Sequence, residues 1–166
     1  MMRVIGWILG GVVVLALVGT AGLAVWARIA PETPAEWHVD PMAVERPSSP
    51  NTALVAPEGA ASRVDRAAPV FDAPPERLMQ AVAEVAASRA RTELIAGSLE
   101  DLHATWRARS AIMGWPDYVT VRALAAEDGS TLAIYSRSRF GESDFGVNAA
   151  RVSAWLEAVE GRLERR

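Results

Sequence analysis

An uncharged apolar run over residues 4–27 constrains the fold of this chain more than any other feature. The run is longer than the stretch of about 20 residues that crosses the hydrocarbon core of a bilayer as a helix. Arg3 and Arg28 bracket it, and Trp7 and Trp26 stand where such a helix would place them at the two membrane interfaces. The sequence therefore predicts a membrane-spanning helix followed by a water-exposed remainder.

The first segment, residues 1–30, is either an uncleaved transmembrane anchor or a signal peptide. Gly22 with Ala24, and Val25 with Ala27, have the spacing that a signal peptidase accepts. The apolar run exceeds the usual core of a signal peptide, about 7–15 residues, which favours the anchor. Because the leading tail is so short, we expect it to stay inside. The chain would then cross a bacterial inner membrane once and face the periplasm.

Charge and composition exclude several classes of function. The formal net charge is -3, so no bulk positive charge favours nucleic acid as a partner. All 17 basic residues are arginine, which is typical of a GC-rich coding sequence. The absence of cysteine excludes disulfides, thiolate catalysis and zinc–cysteine sites. No nucleotide, flavin, metal or serine-hydrolase motif occurs, so we expect no cofactor and assign no catalytic residue.

Residues 31–67 read as a linker. They contain six of the ten prolines and show no apolar period, which predicts an extended chain rather than a helix or a sheet. The patch WHVDP, residues 37–41, interrupts this pattern. A tryptophan is costly to leave in water, so we expect the patch to dock on the domain or on the membrane interface. His38 is expected to be exposed or to cap a turn rather than to ligate a metal.

Residues 68–166 carry the periodicities of a folded domain. Apolar residues recur at helical spacing after Pro74 and Pro75 and again near the carboxyl end, with four strand-like runs between them. The predicted order is strand, helix, four strands and helix, over residues 69–73, 75–89, 92–96, 102–109, 118–125, 131–140 and 148–163. This β-α-β(4)-α order predicts an α+β fold, an antiparallel sheet with both helices packed on one face.

Strand alternation assigns side chains to the two faces of the predicted sheet. The apolar set should meet the helices. The other set includes Tyr135 and His103 and places five guanidinium groups on one uncovered face: Arg107, Arg109, Arg122, Arg137 and Arg139. Like charges on neighbouring strands repel one another unless negative charge lies among them.

The source of that negative charge decides between two interpretations. In the first, Asp117, Asp144 or Glu142 reaches into the face and forms a salt-bridge lattice that only holds the fold. In the second, the face binds an anionic ligand, such as a phosphate, a sulfated or carboxylated molecule, or a lipid headgroup.

A glycine-flanked loop, residues 141–147, turns the chain from the last strand into the last helix. Its two glycines permit sharp turns. The short carboxylate of Asp144 can accept backbone N–H groups or pair with Arg137 or Arg139. Asn148 is a suitable N-cap for the helix, and Arg151 follows one turn later. The corner is either a second anion-binding site or a rigid joint held by an aspartate–arginine pair.

Two sequence blocks carry a family resemblance. The first is YSRSRFGESDFGVNAAR, residues 135–151, and the second is WPDYVTV, residues 115–121. Together they resemble the signature of the domain-of-unknown-function 1499 family. The resemblance covers residues 68–164, and more weakly Pro50 and Asn51. It is specific for the family and implies no particular chemistry.

Three functions remain as hypotheses. The first is a membrane-anchored binding or accessory module that holds an anionic ligand or partner on the arginine face and at the corner. Its ligand-binding residues would be Arg107, Arg109, Arg122, Arg137, Arg139, Asp144, Asn148 and Arg151. The second is an envelope hydrolase that acts on an anionic or lipid substrate, with Asp144 and the arginines as its electrostatic groups. The third is a scaffold whose arginines only hold the fold together.

Overall fold

A long helix precedes a region of mixed helices and strands. A computed structural model of the protein describes residues 2–164. Its helices are α1 Met2–Ile29, α2 Pro34–Trp37, α3 Pro75–Ala87 and α4 Val147–Glu160. Its strands are β1 Thr52–Ala56, β2 Arg66–Ala67, β3 Val70–Phe71, β4 Thr92–Ser98, β5 His103–Arg109, β6 Pro116–Ala126 and β7 Gly129–Ser138.

The strands form one sheet in the order β2-β1-β7-β6-β5-β4, and β3 pairs with the first residues of β7. β1 and β2 run parallel, and the other pairs are antiparallel. The turn between β6 and β7 holds Gly129 at φ +138°, where a Cβ atom would lie 2.1 Å from the carbonyl oxygen of Phe71. Only glycine fits that position. The predicted α+β class is confirmed.

Helices α3 and α4 cover one face of the sheet. Pro75 lies in the first turn of α3, where a missing N–H costs nothing. The ring of Trp155 on α4 stands edge-on to the ring of Trp106 on β5, with centroids 5.8 Å apart. The main core lies between these layers, and its largest members include Leu78, Met79, Val82, Val85, Val119, Val121, Leu132, Ile134, Val152, Trp155 and Leu156.

A second, smaller core lies on the opposite face of the sheet. It consists of Leu54, Ala56, Ala133 and Tyr135, all buried. Apolar side chains that precede β1 or follow it pack against this core: Val39, Met42, Val44, Ala60 and Val64. We call residues 30–46 the covering segment, because they lie across this face.

The prediction that residues 31–67 contain neither helix nor sheet is wrong. This stretch holds α2, β1 and β2. β1 pairs with β7, so it lies inside the sheet, and Val55 lies opposite Ile134. The sequence TALVA of β1 is short and lies between Pro50 and Pro57, so its pattern did not indicate a strand. Its place in the sheet is fixed by a partner about 80 residues away in the chain.

Helix α1 is the candidate membrane span. Residues Ile5–Ile29 are long and apolar enough to cross a bilayer, by length and composition, and their most apolar 18-residue window has a mean hydropathy of 2.4. The most apolar window of this helix is not buried against the rest of the protein. The last turn of α1, in contrast, contacts the rest of the protein, because Ala27 is buried and Arg28 bonds to the loop between β5 and β6.

Candidate functional site

The predicted alternation along β7 is observed. The hydroxyl of Ser136 bonds to Asn148 of α4, so this residue faces the helices. Arg137 instead lies over the ring of Trp37, 4.5 Å from its centroid, on the opposite face. His103, Thr105, Arg107 and Arg109 share that opposite face on β5. The five arginines therefore lie on the face that sequence alternation assigned to them.

That face is not uncovered, which corrects the prediction. The covering segment, which precedes β1 in the chain, supplies carboxylates to this face. Arg107 pairs with Glu32 of this segment and with Glu93 of β4. Arg122 pairs with Asp40. Glu32 also accepts a hydrogen bond from the hydroxyl of Tyr118 at 2.5 Å. Burial of that tyrosine raises its pKa.

Two of the arginines bind the backbone where α1 ends. Arg109 donates to the carbonyl oxygens of Ala27 at 3.1 Å and Arg28 at 3.4 Å. Arg139 donates to the carbonyl oxygens of Ala30 and Pro31. The last carbonyls of a helix have no partner within it and carry partial negative charge. These guanidinium groups therefore fasten the end of α1 to the sheet.

Trp37 holds the middle of the covering segment on the sheet. Its ring stacks on Tyr118 with centroids 3.9 Å apart, and the guanidinium of Arg137 lies on it. Arg137 also donates to the carbonyl oxygen of Glu36 at 2.8 Å. Burial lowers the pKa of Arg137, but a guanidinium starts so high that it stays charged at neutral pH. The predicted docking of the WHVDP patch on the domain is therefore observed.

The carboxylates predicted to lie among the arginines have other positions. Asp117 faces the helices and pairs with Arg151 at 2.6 Å. Asp144 bonds to the backbone at the start of α4. Glu142 is exposed. The partners that sequence reasoning missed are Glu93 of β4 and, in the covering segment, Glu32 and Asp40. For the two in the covering segment the nearby Trp37 was the available signal, because a docked tryptophan brings neighbouring carboxylates onto the same surface.

Both histidines of the chain meet on this face. Their rings stack with centroids 4.0 Å apart. His38 bonds through Nδ1 to the hydroxyl of Thr105 at 2.9 Å, and His103 bonds through Nε2 to the carbonyl oxygen of Val39 at 3.0 Å. The pair therefore joins the covering segment to β5. No Ser–His pair forms among the described residues, because Ser136 and Ser138 bond to Asn148 instead.

Acidification is expected to weaken the covering segment. Burial and the facing His103 lower the pKa of His38, against a smaller opposing effect of Asp101. The pKa of His38 in the folded protein then lies below its unfolded value of about 6.5. As the pH falls below about 6.5, the unfolded chain therefore binds more protons than the folded protein. Stability from this residue is complete above about pH 6.5 and decreases below it. Urea unfolding at about pH 7.5 and about pH 5.5 should show a smaller pH effect in His38→Gln than in the wild type. An unchanged pH effect would contradict this prediction.

Asn148 organises the corner between β7 and α4. Its side chain is fully buried. Its oxygen accepts from Ser136 at 2.5 Å and from Arg151 at 2.7 Å, and its amide donates to the carbonyl oxygen of Asn51 and to Ser138, both at 2.9 Å. All four of its hydrogen-bonding positions are thus used. The sequence correctly placed Asn148, Asp144 and Arg151 in one corner.

The predicted role of Asn148 as the N-cap is wrong. Gly146 holds that position, at φ +81°. Asp144 accepts from the backbone N–H of Gly146 at 3.0 Å and of Asn148 at 2.6 Å. The positive end of the helix dipole also stabilises a carboxylate at this position. Asp144 therefore performs the capping, and Asn148 is free to point into the core.

A pocket of about 460 Å³ opens beside this corner. Its volume is within the range of small-molecule sites. Aromatic and aliphatic side chains form most of its wall: Trp115, Phe140, Phe145 and Val147. The polar residues of the lining are Ser110, Asp117, Ser138, Ser143 and Asp144, and Gly141 completes it. We call this the corner pocket. Of the predicted site residues, Asp144 lines this cavity, which the sequence did not reveal.

The corner pocket lies next to the end of α1. The ring of Phe140, in its wall, lies 5.1 Å from the ring of Trp26 and 5.3 Å from that of Trp115. Arg28 donates to the carbonyl oxygens of Ile112 at 2.8 Å and Met113 at 2.9 Å, in the loop that leads to Trp115. The pocket therefore stands where the candidate membrane span meets the sheet.

These features define a class of protein: an α+β sheet covered on both faces, led by one long apolar helix that is joined to it. The family model described as "Protein of unknown function (DUF1499)" matches residues 43–159. The chain belongs to this family. The match begins within the covering segment and includes β1, before the point where the sequence alone placed the domain. Comparison with the curated proteins gave no match.

Proposed function

We propose that this protein is a membrane-anchored binding module that holds an amphiphilic small molecule in the corner pocket. The observation that carries the proposal is the position of the pocket. It joins an aromatic wall to a polar floor at the end of the apolar helix. Apolar walls with a few placed polar groups are the usual composition of a ligand site.

The polar groups of the pocket favour a ligand that donates hydrogen bonds. Asp117 and Asp144 contribute carboxylates, while Ser110, Ser138 and Ser143 contribute hydroxyls. Arg151 is not part of the lining and is already paired with Asp117. A hydroxyl or an ammonium group therefore suits the floor better than an anion does.

An anionic ligand on the arginine face would need a different arrangement. In the structure the five guanidinium groups bind carboxylates, carbonyl oxygens or an aromatic ring of the protein itself. A ligand would have to displace the covering segment from them. The contacts support a structural role for these arginines, and the corner pocket is the site that needs no such displacement.

In this proposal α1 remains attached as the anchor. Trp26 and Ala27 belong to the joint with the sheet. Cleavage after Ala27 would remove both, and cleavage after Ala24 would leave them at a new amino terminus without the rest of the helix. An apolar helix whose end is part of the fold is a poor candidate for removal. We place the helix in a bacterial inner membrane and the rest of the chain in the periplasm.

Closing the pocket should weaken ligand binding strongly. Val147 lines the corner pocket, and Leu94 on β4 is equally exposed, at 49%. Val147→Arg should therefore block the pocket, while the matched Leu94→Arg control leaves it open. Native mass spectrometry of the full-length protein with hexadecylamine should show an adduct that Val147→Arg reduces about tenfold or more. Hexadecyl sulfate should bind less well than the amine. Equal binding of the amine to both variants would place its site elsewhere.

A further inference from the structure

Two loops of the sheet stand beside the last turn of α1. One joins β5 to β6 and is fastened through the bonds of Arg28 to Ile112 and Met113. A Cβ atom on Gly114 would lie 2.8 Å from the side chain of Arg28, so loop and helix are in close contact. The other loop joins β7 to α4 and includes Phe140, whose ring packs against that of Trp26. Together they form the end of the sheet nearest to α1.

Each of these loops exposes one large apolar side chain. Phe145 is 96% exposed and Ile112 is 84% exposed. They are the two most exposed of the large apolar side chains that the structure describes, and they exceed every such residue of α1. Val147 adds apolar surface beside Phe145. Exposed apolar side chains gathered at one end of a protein mark a contact surface.

The backbone of Phe145 presents its ring outward by an uncommon conformation. Its φ is +53°, in the left-handed region that bulky residues rarely adopt. The turn is held by a bond from the N–H of Phe145 to the hydroxyl of Ser143 and by the carboxylate of Asp144 on Gly146. Such conformations persist only where the surroundings impose them, and they cluster at functional sites.

We infer that Ile112 and Phe145 insert into the lipid bilayer, beside α1 and at the same interface. The candidate span ends at Ile29, so the groups that contact Trp26 and Arg28 lie at the depth of the lipid headgroups. A phenylalanine and an isoleucine beside an interfacial tryptophan are suited to that depth. The inference rests on α1 being the proposed anchor. It does not require the corner pocket to be occupied.

This contact has a consequence for the corner pocket. Phe145 lines the pocket as well as standing at the bilayer. A ligand would then reach the pocket from the lipid rather than through water. The contact is apolar, so it should not depend on anionic lipids or on low salt.

The absence of cysteine allows a direct test in the full-length protein. Single cysteines at Ile112, Phe145, Leu15 and Leu99 would be labelled with a nitroxide in phosphatidylcholine nanodiscs that hold one copy each. Leu15 lies in the middle of α1, and Leu99 is an exposed apolar residue in the turn between β4 and β5. Paramagnetic resonance then compares access of oxygen, which partitions into lipid, with access of a water-soluble nickel complex.

Labels at Ile112→Cys and Phe145→Cys should favour oxygen, and the label at Leu99→Cys should favour the nickel complex. The Leu15→Cys label should favour oxygen if α1 spans the membrane. Nickel access at 112 and 145 equal to that at 99, with position 15 in lipid, would overturn the inference and leave the anchor intact. Nickel access at position 15 as well would overturn the anchor itself. Shielding of 112 and 145 from both reagents would indicate a protein contact and also contradict the inference.

Discussion

Glu32→Ala is expected to lower the free energy of unfolding by about 3 kcal/mol and to release the covering segment. The side chain of Glu32 is only 13% exposed and stands among three partners. It pairs with Arg107, accepts from Tyr118 at 2.5 Å and lies 3.9 Å from Arg139. Its removal leaves two guanidinium groups and a buried hydroxyl without their shared acceptor. Breaking such a pair on one side costs more than the pair contributes.

A control within the same segment separates this effect from a general loss of charge. Glu36 lies four residues later and is exposed, and only its backbone carbonyl bonds to Arg137. Glu36→Ala keeps that carbonyl, so we expect a change within about 0.5 kcal/mol. Urea unfolding followed by tryptophan fluorescence measures both variants. Hydrogen exchange in residues 30–46 should rise in Glu32→Ala alone. Equal stability of the two variants would show that the carboxylate of Glu32 does not hold the segment.

The faces of the sheet were predictable because strand alternation is a local property. Neighbouring residues such as Ser136 and Arg137 point to opposite faces wherever a strand forms. The sequence needed only to identify the strand, and the valine, isoleucine and tyrosine of β6 and β7 did so. The assignment of all five arginines to one face therefore followed from local pattern alone.

What covers that face was not predictable in the same way. The contacts of Glu32 and Asp40 reach side chains 75 and 82 residues further along the chain. Prolines interrupt any period in this region, so it resembles an extended linker. Only the tryptophan of the WHVDP patch indicated docking, and it did not specify the partner. β1 was not predicted for the same reason, because its pairing with β7 is a contact between distant parts of the chain.

The corner shows where residue type misleads. Asparagine is favoured at helix starts, so Asn148 was a reasonable N-cap. Its side chain instead bonds to Asn51, Ser136 and Ser138, which come from two other segments. Asp144, four residues earlier, caps the helix from the loop. The corner pocket was equally hidden, since its wall joins Trp115 and Phe140 from different strand ends.

Asn148→Ala is expected to lower the free energy of unfolding by about 4 kcal/mol, because it removes four hydrogen bonds from a buried site. The bonds lost are those to the carbonyl oxygen of Asn51 and to the side chains of Ser136, Ser138 and Arg151. The carbonyl oxygen of Asn51 keeps the backbone N–H of Ser138, and Ser136 keeps Arg151, so the expected loss is that of the four bonds, about 1 kcal/mol each. Urea unfolding of the full-length protein in detergent measures the loss. Gln80→Ala, which removes an exposed amide from α3, should change stability by no more than about 0.5 kcal/mol.

A second substitution separates lost hydrogen bonds from lost volume. Asn148→Asp keeps the size of the side chain, so it leaves no cavity. It replaces the amide that donates to Asn51 and Ser138 with a second acceptor, which faces the carbonyl oxygen of Asn51 at close range. We expect a loss comparable to that of Asn148→Ala, since a buried acceptor against an acceptor is unfavourable. Near-wild-type stability of Asn148→Asp would show that packing, rather than the hydrogen bonds of Asn148, holds the corner on which the pocket is built.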